Sequence, residues 1–411
     1  MLLERLFNVR YASLVATQII NPSFHLILAI ILIKQYSDEI YAEFVIKYAL
    51  LMGLAAIAQK SKWQHIHYFL SLKNKMDPNY GILKNEFFWV IKTTPVLFFI
   101  LFFVQFTLPG TLFDKPLEII LIFVTCLFVF NGLAVGYLRF KERYFEYLLF
   151  LLFSSIVKLM GIASGWNEIF GSIIIFICVV DLLTWLPIVI YSSLKIHTVD
   201  HKLPKYAVSI EEIKQHQTGQ YWSALIVLPL QQFDKVGLAY LLTPANIALY
   251  TIIQKTTLLF ALVIEPLYVL KMKEKNKKLI QGQKLFSFKE TSKMFSLPLF
   301  LQLPILIFLF LVPESYVEFI FGLSINFWTY SFYFISFAIG SSLYFVHVYG
   351  VKYLPGKDFL LSTAWSIAIY IITVIPLTYA FGLIGALISL CIQFFTILLF
   401  RFYPLKLRGV F

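Results

Sequence analysis

Eight ionisable side chains lie inside long apolar runs of this sequence: Lys47, Lys92, Lys158, Asp181, Asp234, Lys235, Lys255 and Glu265. An ionised group at the centre of a hydrocarbon layer is disfavoured by at least ~2.5–3.5 kcal/mol on insertion scales, so each needs a partner, a wet surface or a nearby interface. Lys92 and Glu265 stand near the inner ends of their runs, and Lys92 can snorkel to the headgroups. Lys47 and Lys255 lie deeper, about 10–12 Å inside at 1.5 Å rise per residue. They can attract an anionic head group in a wet cleft, or snorkel outward. Gln231, Asp234 and Lys235 follow Pro229 at i, i+3 and i+4, which places them on one helical face. A carboxylate taken out of water can bind a proton or a sodium ion unless a cation compensates it. Asp234 therefore suits ion coupling, or simple neutralisation by Lys235 or Lys255. Lys158, with Ser154 and Ser155 one turn earlier, and Asp181, with Thr184, both fall near mid-bilayer, where an ion pair within one lobe or between lobes is the expected account. Ser13, Thr17, Asn21 and His25 recur at steps of four with Gln18 beside them, a polar stripe that suits a cavity wall or a helix–helix contact.

Other chemistries lack their residues. There is no Gly-rich phosphate loop ending in Lys-Ser/Thr, which argues against ATP hydrolysis on this chain. Neither a Gly-x-Ser-x-Gly elbow nor a zinc signature occurs. Cys126, Cys178 and Cys391 all fall inside apolar runs, so no disulfide framework, metal centre or cofactor is expected.

The elements that position the charged residues are membrane helices. The chain is 60% hydrophobic and 14% charged, where soluble domains carry roughly 25% charged residues. Runs of roughly 20 apolar residues, enough to cross ~30 Å of hydrocarbon, repeat from end to end. Twelve spans are predicted, near 11–33, 40–58, 87–108, 117–138, 146–163, 168–190, 218–240, 247–270, 295–312, 324–349, 359–379 and 383–400. A transmembrane barrel is excluded, because its strands alternate in polarity over ~10 residues. The net charge of +12 follows topology and not nucleic acid: 27 of the 34 Lys and Arg fall on one side, and only Lys34 and Lys115 lie in the opposite turns. The positive-inside rule then puts both termini in the cytoplasm. The first run of 23 residues lacks a small-x-small cleavage site and reads as a retained helix.

Two halves are visible. Ser37–Ile46 can be laid over Thr243–Ile252 at an offset of 206, matching Ala42 with Ala248, Phe44 with Tyr250 and Ile46 with Ile252. Pro109 and Pro313 echo each other at an offset of 204. The reading is an all-α polytopic protein with an N-lobe at 1–190 and a C-lobe at 218–411, each of six spans, a construction common among transporters. Residues 191–217 form a cytoplasmic linker whose Ser209-Ile-Glu-Glu212 is a capping box. The Lys-rich inner loops 59–86 and 271–294 hold topology and touch anionic headgroups.

The run Gln232-Phe-Asp-Lys-Val-Gly-Leu-Ala-Tyr-Leu-Leu-Thr-Pro-Ala-Asn-Ile-Ala-Leu-Tyr250 resembles the seventh-helix region of the multidrug/oligosaccharidyl-lipid/polysaccharide (MOP) exporter superfamily, and within it the O-antigen (Wzx-type) flippases. The features are a buried Asp, a basic residue, an apolar stretch, a short turn and a small-x-Tyr start to helix eight. Tyr36-Ser-Asp-Glu-Ile-Tyr-Ala-Glu-Phe44 is similar to the family's turn after helix one, with Ala42 and Ala248 where Gly is usual. The resemblance implies a V-shaped cavity lined by helices one, two, seven and eight. The implied substrate is an undecaprenyl-diphosphate-linked O-antigen repeat unit, flipped across the cell inner membrane by alternating access. Polysaccharide polymerase and chain-length regulator are the implied protein partners. Lys47, Lys255, Gln18, Asn21, Gln231 and Lys158 are the expected substrate-binding residues, and Asp234, Lys235 and Asp181 the expected ion-coupling ones. The rivals are a drug or metabolite exporter of the same superfamily and a membrane polymerase or ligase; the latter needs an outer loop longer than any turn here.

Overall fold

The structure is a computed structural model that describes residues 9–59, 143–169, 172–198, 234–256, 288–325, 327–332 and 354–407, with a few single positions besides. The expected spans at 87–108 and 117–138, the capping box at Ser209, Gln231, Glu265 and much of the seventh, eighth and tenth spans lie outside these residues. Every regular element among the described residues is a helix. They are α1 Val9–Gln35, α2 Asp38–Gln59, α3 Tyr144–Ala163, α4 Trp166–Ile169, α5 Ile173–Thr198, α6 Phe288–Leu311, α7 Glu314–Phe321 and α8 Gly356–Leu407, with further helical stretches at 234–238, 244–256 and 327–332. Three stretches among them, Tyr144–Ala163, Ile173–Tyr191 and Lys357–Leu407, are long and apolar enough to cross a membrane.

The chain divides into two compact units. The first comprises Met1–Asn21, Glu43–Gln217 and Leu228–Val236, and the second Pro22–Ala42, Thr218–Val227 and Gly237–Phe411. Helix α1 thus passes from one unit to the other at Asn21–Pro22.

The repeat seen in the sequence has a geometric counterpart. Ser37 Oγ accepts the Ile40 N–H at 3.2 Å, and Thr243 Oγ1 accepts the Asn246 N–H at 3.4 Å. The backbone carbonyls of Ser37 and Thr243 take the N–H groups of Tyr41 and Ile247, both at 3.1 Å. Each hydroxyl satisfies a donor that a helix start leaves unpaired, and both caps obey the same offset of 206. Asp38 and Glu39 add negative charge to the first turn of α2, where the helix dipole favours it.

In the first unit α3 and α5 form an antiparallel hairpin. Residues Ser154, Lys158 and Gly161 recur at steps of four and three on the buried face of α3. A Cβ at Gly161 would overlap the Phe176 ring, so the missing side chain is what lets the two helices approach closely. Further along, Tyr147 and Phe150 pack their rings 5.7 and 6.3 Å from Trp185. Arg143 binds Glu146 and lies 5.9 Å over Tyr191, which pins the inner ends. Helix α5 runs on to Thr198, eight residues past the expected end of the sixth span, with Pro187 inside it and no proline between Tyr191 and Pro204. Helix α6 likewise begins at Phe288, ahead of the expected 295.

In the second unit α8 holds the last two expected spans. Its 52 residues would measure about 78 Å as one helix, far more than the ~30 Å hydrocarbon layer. The chain breaks at Gly382, whose φ of 59° and ψ of −136° suit a residue without a Cβ. This falls in the gap between the spans predicted at 359–379 and 383–400. Beyond the break, a Cβ on Gly385 would overlap the Leu377 carbonyl oxygen. At the far end Arg401 donates to Ser362 Oγ at 3.2 Å and Thr363 Oγ1 at 2.7 Å, and stacks 4.0 Å from the Phe359 ring. Ser362 and Arg401 are 20 and 19 residues from Gly382, so each arm is about 30 Å long, one membrane thickness.

Two outcomes follow for stability, read as melting temperature in detergent. Gly385→Val opposes backbone with side chain and lowers stability by at least the ~1–3 kcal/mol typical of overpacking, whereas Gly237→Ala, with nothing within 4 Å of a Cβ, leaves it unchanged or slightly higher. Arg401→Lys keeps the charge but loses the planar fork, and destabilises by about 1.5–3 kcal/mol, the range for hydrogen bonds to charged groups.

Candidate functional site

The deepest charged cluster belongs to the α3–α5 hairpin of the first unit. Lys158 Nζ forms a salt bridge with Asp181 Oδ1, and Ser154 Oγ donates to the same oxygen at 2.7 Å. Lys158 and Asp181 are only 6% and 5% exposed, so the pair is shielded from solvent. Asp181 is ten residues, ~15 Å, from Tyr191 at the inner end, which puts it at mid-membrane depth. Tyr48 of α2 comes close enough to Asp181 and Cys178 to interact with both electrostatically, so three helices meet here. The expected intrahelical neighbours act differently: Thr184 turns its hydroxyl back to the Val180 carbonyl at 2.7 Å and satisfies itself.

Among the other sequence-predicted residues, Asp234 with Lys235 and Lys47 with Glu43 form two more ion pairs. Asp234 and Lys235 are both buried, and Lys235 gives Asp234 Oδ1 its Nζ at 3.0 Å and its backbone N–H at 2.7 Å. Adjacent residues on a helix do not face each other, so the lysine stem folds back along the helix surface to make this contact. Lys47 pairs with Glu43 one turn earlier, with side chains 18% and 44% exposed. Lys255 lies half-buried in helix 244–256 of the second unit. The shared offset of 206 sets Lys47 opposite Ile253, so Lys255 is two residues, or about 200°, out of step with it. Lys92 is exposed. On α1, Ser13 and Thr17 are each 4% exposed and His25 meets Phe24 edge-on at 5.1 Å. The side chains of Gln18 and Asn21 lie outside the described residues.

The three pairs differ in strength, and that decides what each can do. An i,i+4 pair open to water contributes only about 0.3–0.5 kcal/mol. The Lys47–Glu43 pair, with side chains 18% and 44% exposed, is of that kind. Removing one partner of a buried pair costs about 3–5 kcal/mol, because the remaining charge has no water to turn to. Lys158–Asp181 and Asp234–Lys235 are pairs of that second kind. Lys158 and Ser154 both engage Oδ1 of Asp181, and Oδ2 carries neither bond.

Some polar groups were not visible as special from the sequence. Arg401 reads there as one more cytoplasmic cation, yet it is 2% exposed and ties α8 to itself. Among the described residues, Tyr330 Oη and Thr378 Oγ1 are buried without a hydrogen-bond partner, in the second unit. Their residue types are common in such runs, and no spacing marks them.

No family model and no curated protein matches the sequence. Solved structures do. An outward-facing multidrug resistance MATE family transporter of the MOP superfamily aligns with a TM-score of 0.61 at 14% identity, over 97% of this chain and 95% of that one. An inward-facing MATE family transporter of the MOP superfamily gives 0.60 at 12%, over 99% and 97%. A mutant of a Vibrio cholerae MATE transporter gives 0.61 at 13%, over 98% and 97%. At such identities the likeness concerns the path of the backbone, and it extends over nearly the whole chain, which has the fold of these MATE transporters of the MOP superfamily.

Proposed function

We propose that this chain is a flippase of the cell inner membrane that carries an undecaprenyl-diphosphate-linked oligosaccharide, an O-antigen-type repeat unit, from the cytoplasmic to the periplasmic leaflet. Its working parts are two lobes, 1–190 and 218–411, joined by the linker 191–217. Rocking of repeated bundles about a central site is the general route by which such folds move a solute. The observation that carries the substrate assignment is Lys47, a cation at membrane depth that pairs with Glu43 one turn earlier, both side chains being partly open to water. A diphosphate is very costly to strip of water unless cations replace the lost hydration. In this reading Lys47 trades Glu43 for the diphosphate and Lys255 meets it from the second half. Gln18, Asn21 and Gln231 take hydroxyls of the glycan, and the prenyl chain stays in lipid.

The buried pairs suit a different task. Binding of a proton or sodium ion by Asp181 would release Lys158 from its partner, and the two states differ by the full cost of a buried charge. Lys158, read from sequence as substrate-facing, then works through Asp181. Asp234 with Lys235 offers the same chemistry at a second place.

A drug or metabolite exporter is the second reading, favoured by the identity of the similar solved structures, which are multidrug MATE transporters. Buried carboxylates suit a cationic solute, just as an exchangeable lysine suits an anionic one. Proteoliposomes separate them. Loaded with undecaprenyl-diphosphate-linked repeat unit, they are expected to show glycan moving to the opposite leaflet, faster under an imposed ion gradient, and to lose this with Lys47→Ala plus Lys255→Ala. Ethidium efflux with no glycan movement would establish the second reading in its place.

The coupling role has its own cycle. Asp181→Ala alone should destabilise by about 3–5 kcal/mol, whereas Asp181→Asn with Lys158→Met removes both charges and should fold. That double variant is expected to flip substrate without responding to the gradient; a full gradient response would make the pair purely structural.

A further inference from the structure

The outer end of α1 is held in the second unit by a small and specific contact. Its last turn carries Ile33 and Lys34, and these meet the short helix α7 and the glycine that ends it. Lys34 Nζ stands 4.9 Å from the centroid of the Phe319 ring. Gly322, in the left-handed region at φ 74°, caps α7, its N–H donating to the Glu318 carbonyl at 2.7 Å. A Cβ at Gly322 would stand 2.8 Å from Ile33 Cγ2 and 3.6 Å from Ile33 Cβ. The residues that meet are nearly 290 apart in sequence, one set from the end of the first span, the other from the turn after the ninth. Pro22–Ala42 belongs to the second unit while the residues before it belong to the first, so the held segment begins at the proline.

We propose that this contact is an outer latch: Ile33 seated against Gly322, with Lys34 over Phe319, keeps the outer end of helix α1 docked, and it must release for the chain to open outward. The proposal rests on the transporter reading above. Two features fit a latch better than a permanent joint. A cation–π contact at an exposed site is weak, and the Phe319 side of this one is exposed. The seat itself is a glycine, where backbone meets a β-branched side chain and any larger residue is excluded by the close approach of Ile33. The contact is thus selective in shape and weak in energy, as a joint that opens every cycle requires. Asn21–Pro22 supplies the hinge: a proline inside a helix removes one backbone hydrogen bond and permits bending.

The Cβ–Cβ spacing of 3.6 Å between residue 33 and a side chain at 322 suits a disulfide, whose mean is about 3.8 Å. In a background with Cys126, Cys178 and Cys391 replaced, Ile33→Cys with Gly322→Cys is oxidised and reconstituted. The expected result is crosslinking in high yield, transport of either candidate substrate abolished, and recovery on reduction. Crosslinking with undiminished transport, or failure to crosslink in folded protein, overturns the latch. As a second measurement, Ile33→Cys alone is labelled from outside with a membrane-impermeant maleimide, with and without Phe319→Ala. Faster labelling in the Phe319→Ala background supports the latch, and equal rates overturn it. Because labelling needs no substrate, it decides the latch even if the unaltered chain moves neither glycan nor ethidium, which would defeat the transporter reading separately.

Discussion

The Lys158–Asp181 pair constrains everything around it, because a charge in a medium of low dielectric is tolerable only beside its opposite. Neither partner could be kept ionised at mid-membrane depth alone without a cost of several kcal/mol. Holding them together demands that α3 and α5 run close for most of a membrane thickness. That closeness depends in turn on Gly161, which removes a side chain where Phe176 must fit, and on the small Ser154, whose hydroxyl gives Asp181 a second bond. The aromatic contacts of Tyr147 and Phe150 with Trp185 and the Arg143–Tyr191 contact are what the same antiparallel register allows further along.

The hairpin within α8 solves a similar packing problem without an ion pair at its centre. Glycines at 382 and 385 let the chain reverse and the arms touch backbone to backbone. Arg401 then closes the other end with two hydroxyls and an aromatic face. A buried guanidinium served by hydroxyls and a ring is stiff and directional, since the fork fixes both donors at once. The two hairpins therefore share a design: a glycine permits close approach, and a charged side chain sets the register.

Burial separates the charged groups. Lys47 with Glu43 is partly wet, and in the proposed function it is the cation that meets the anionic substrate. The pairs of Asp181 and Asp234 are enclosed, so any event that neutralises one member shifts the balance of a whole helix pair.

The helical class, the approximate ends of α1, α2, α3 and the last two spans, and the offset of 206 were all legible in the sequence. Each depends on local information: apolar runs of membrane length, polar turns, and hydroxyls that cap helix starts at Ser37 and Thr243. The pairing of Lys158 with Asp181 was also anticipated, since two opposite charges at equal depth in consecutive spans have few other solutions. The extension of α5 to Thr198 was not, because polar residues end a hydrophobic run without ending a helix. Neutralisation of Asp234 by Lys235 was one of the two readings the sequence allowed, whereas neither the burial of Arg401 nor the seat of Ile33 on Gly322 was anticipated. Those depend on which side chains meet across 38 or 289 residues, and on whether a Cβ has room. Periodicity carries no record of such distances, so only the tertiary structure could decide them.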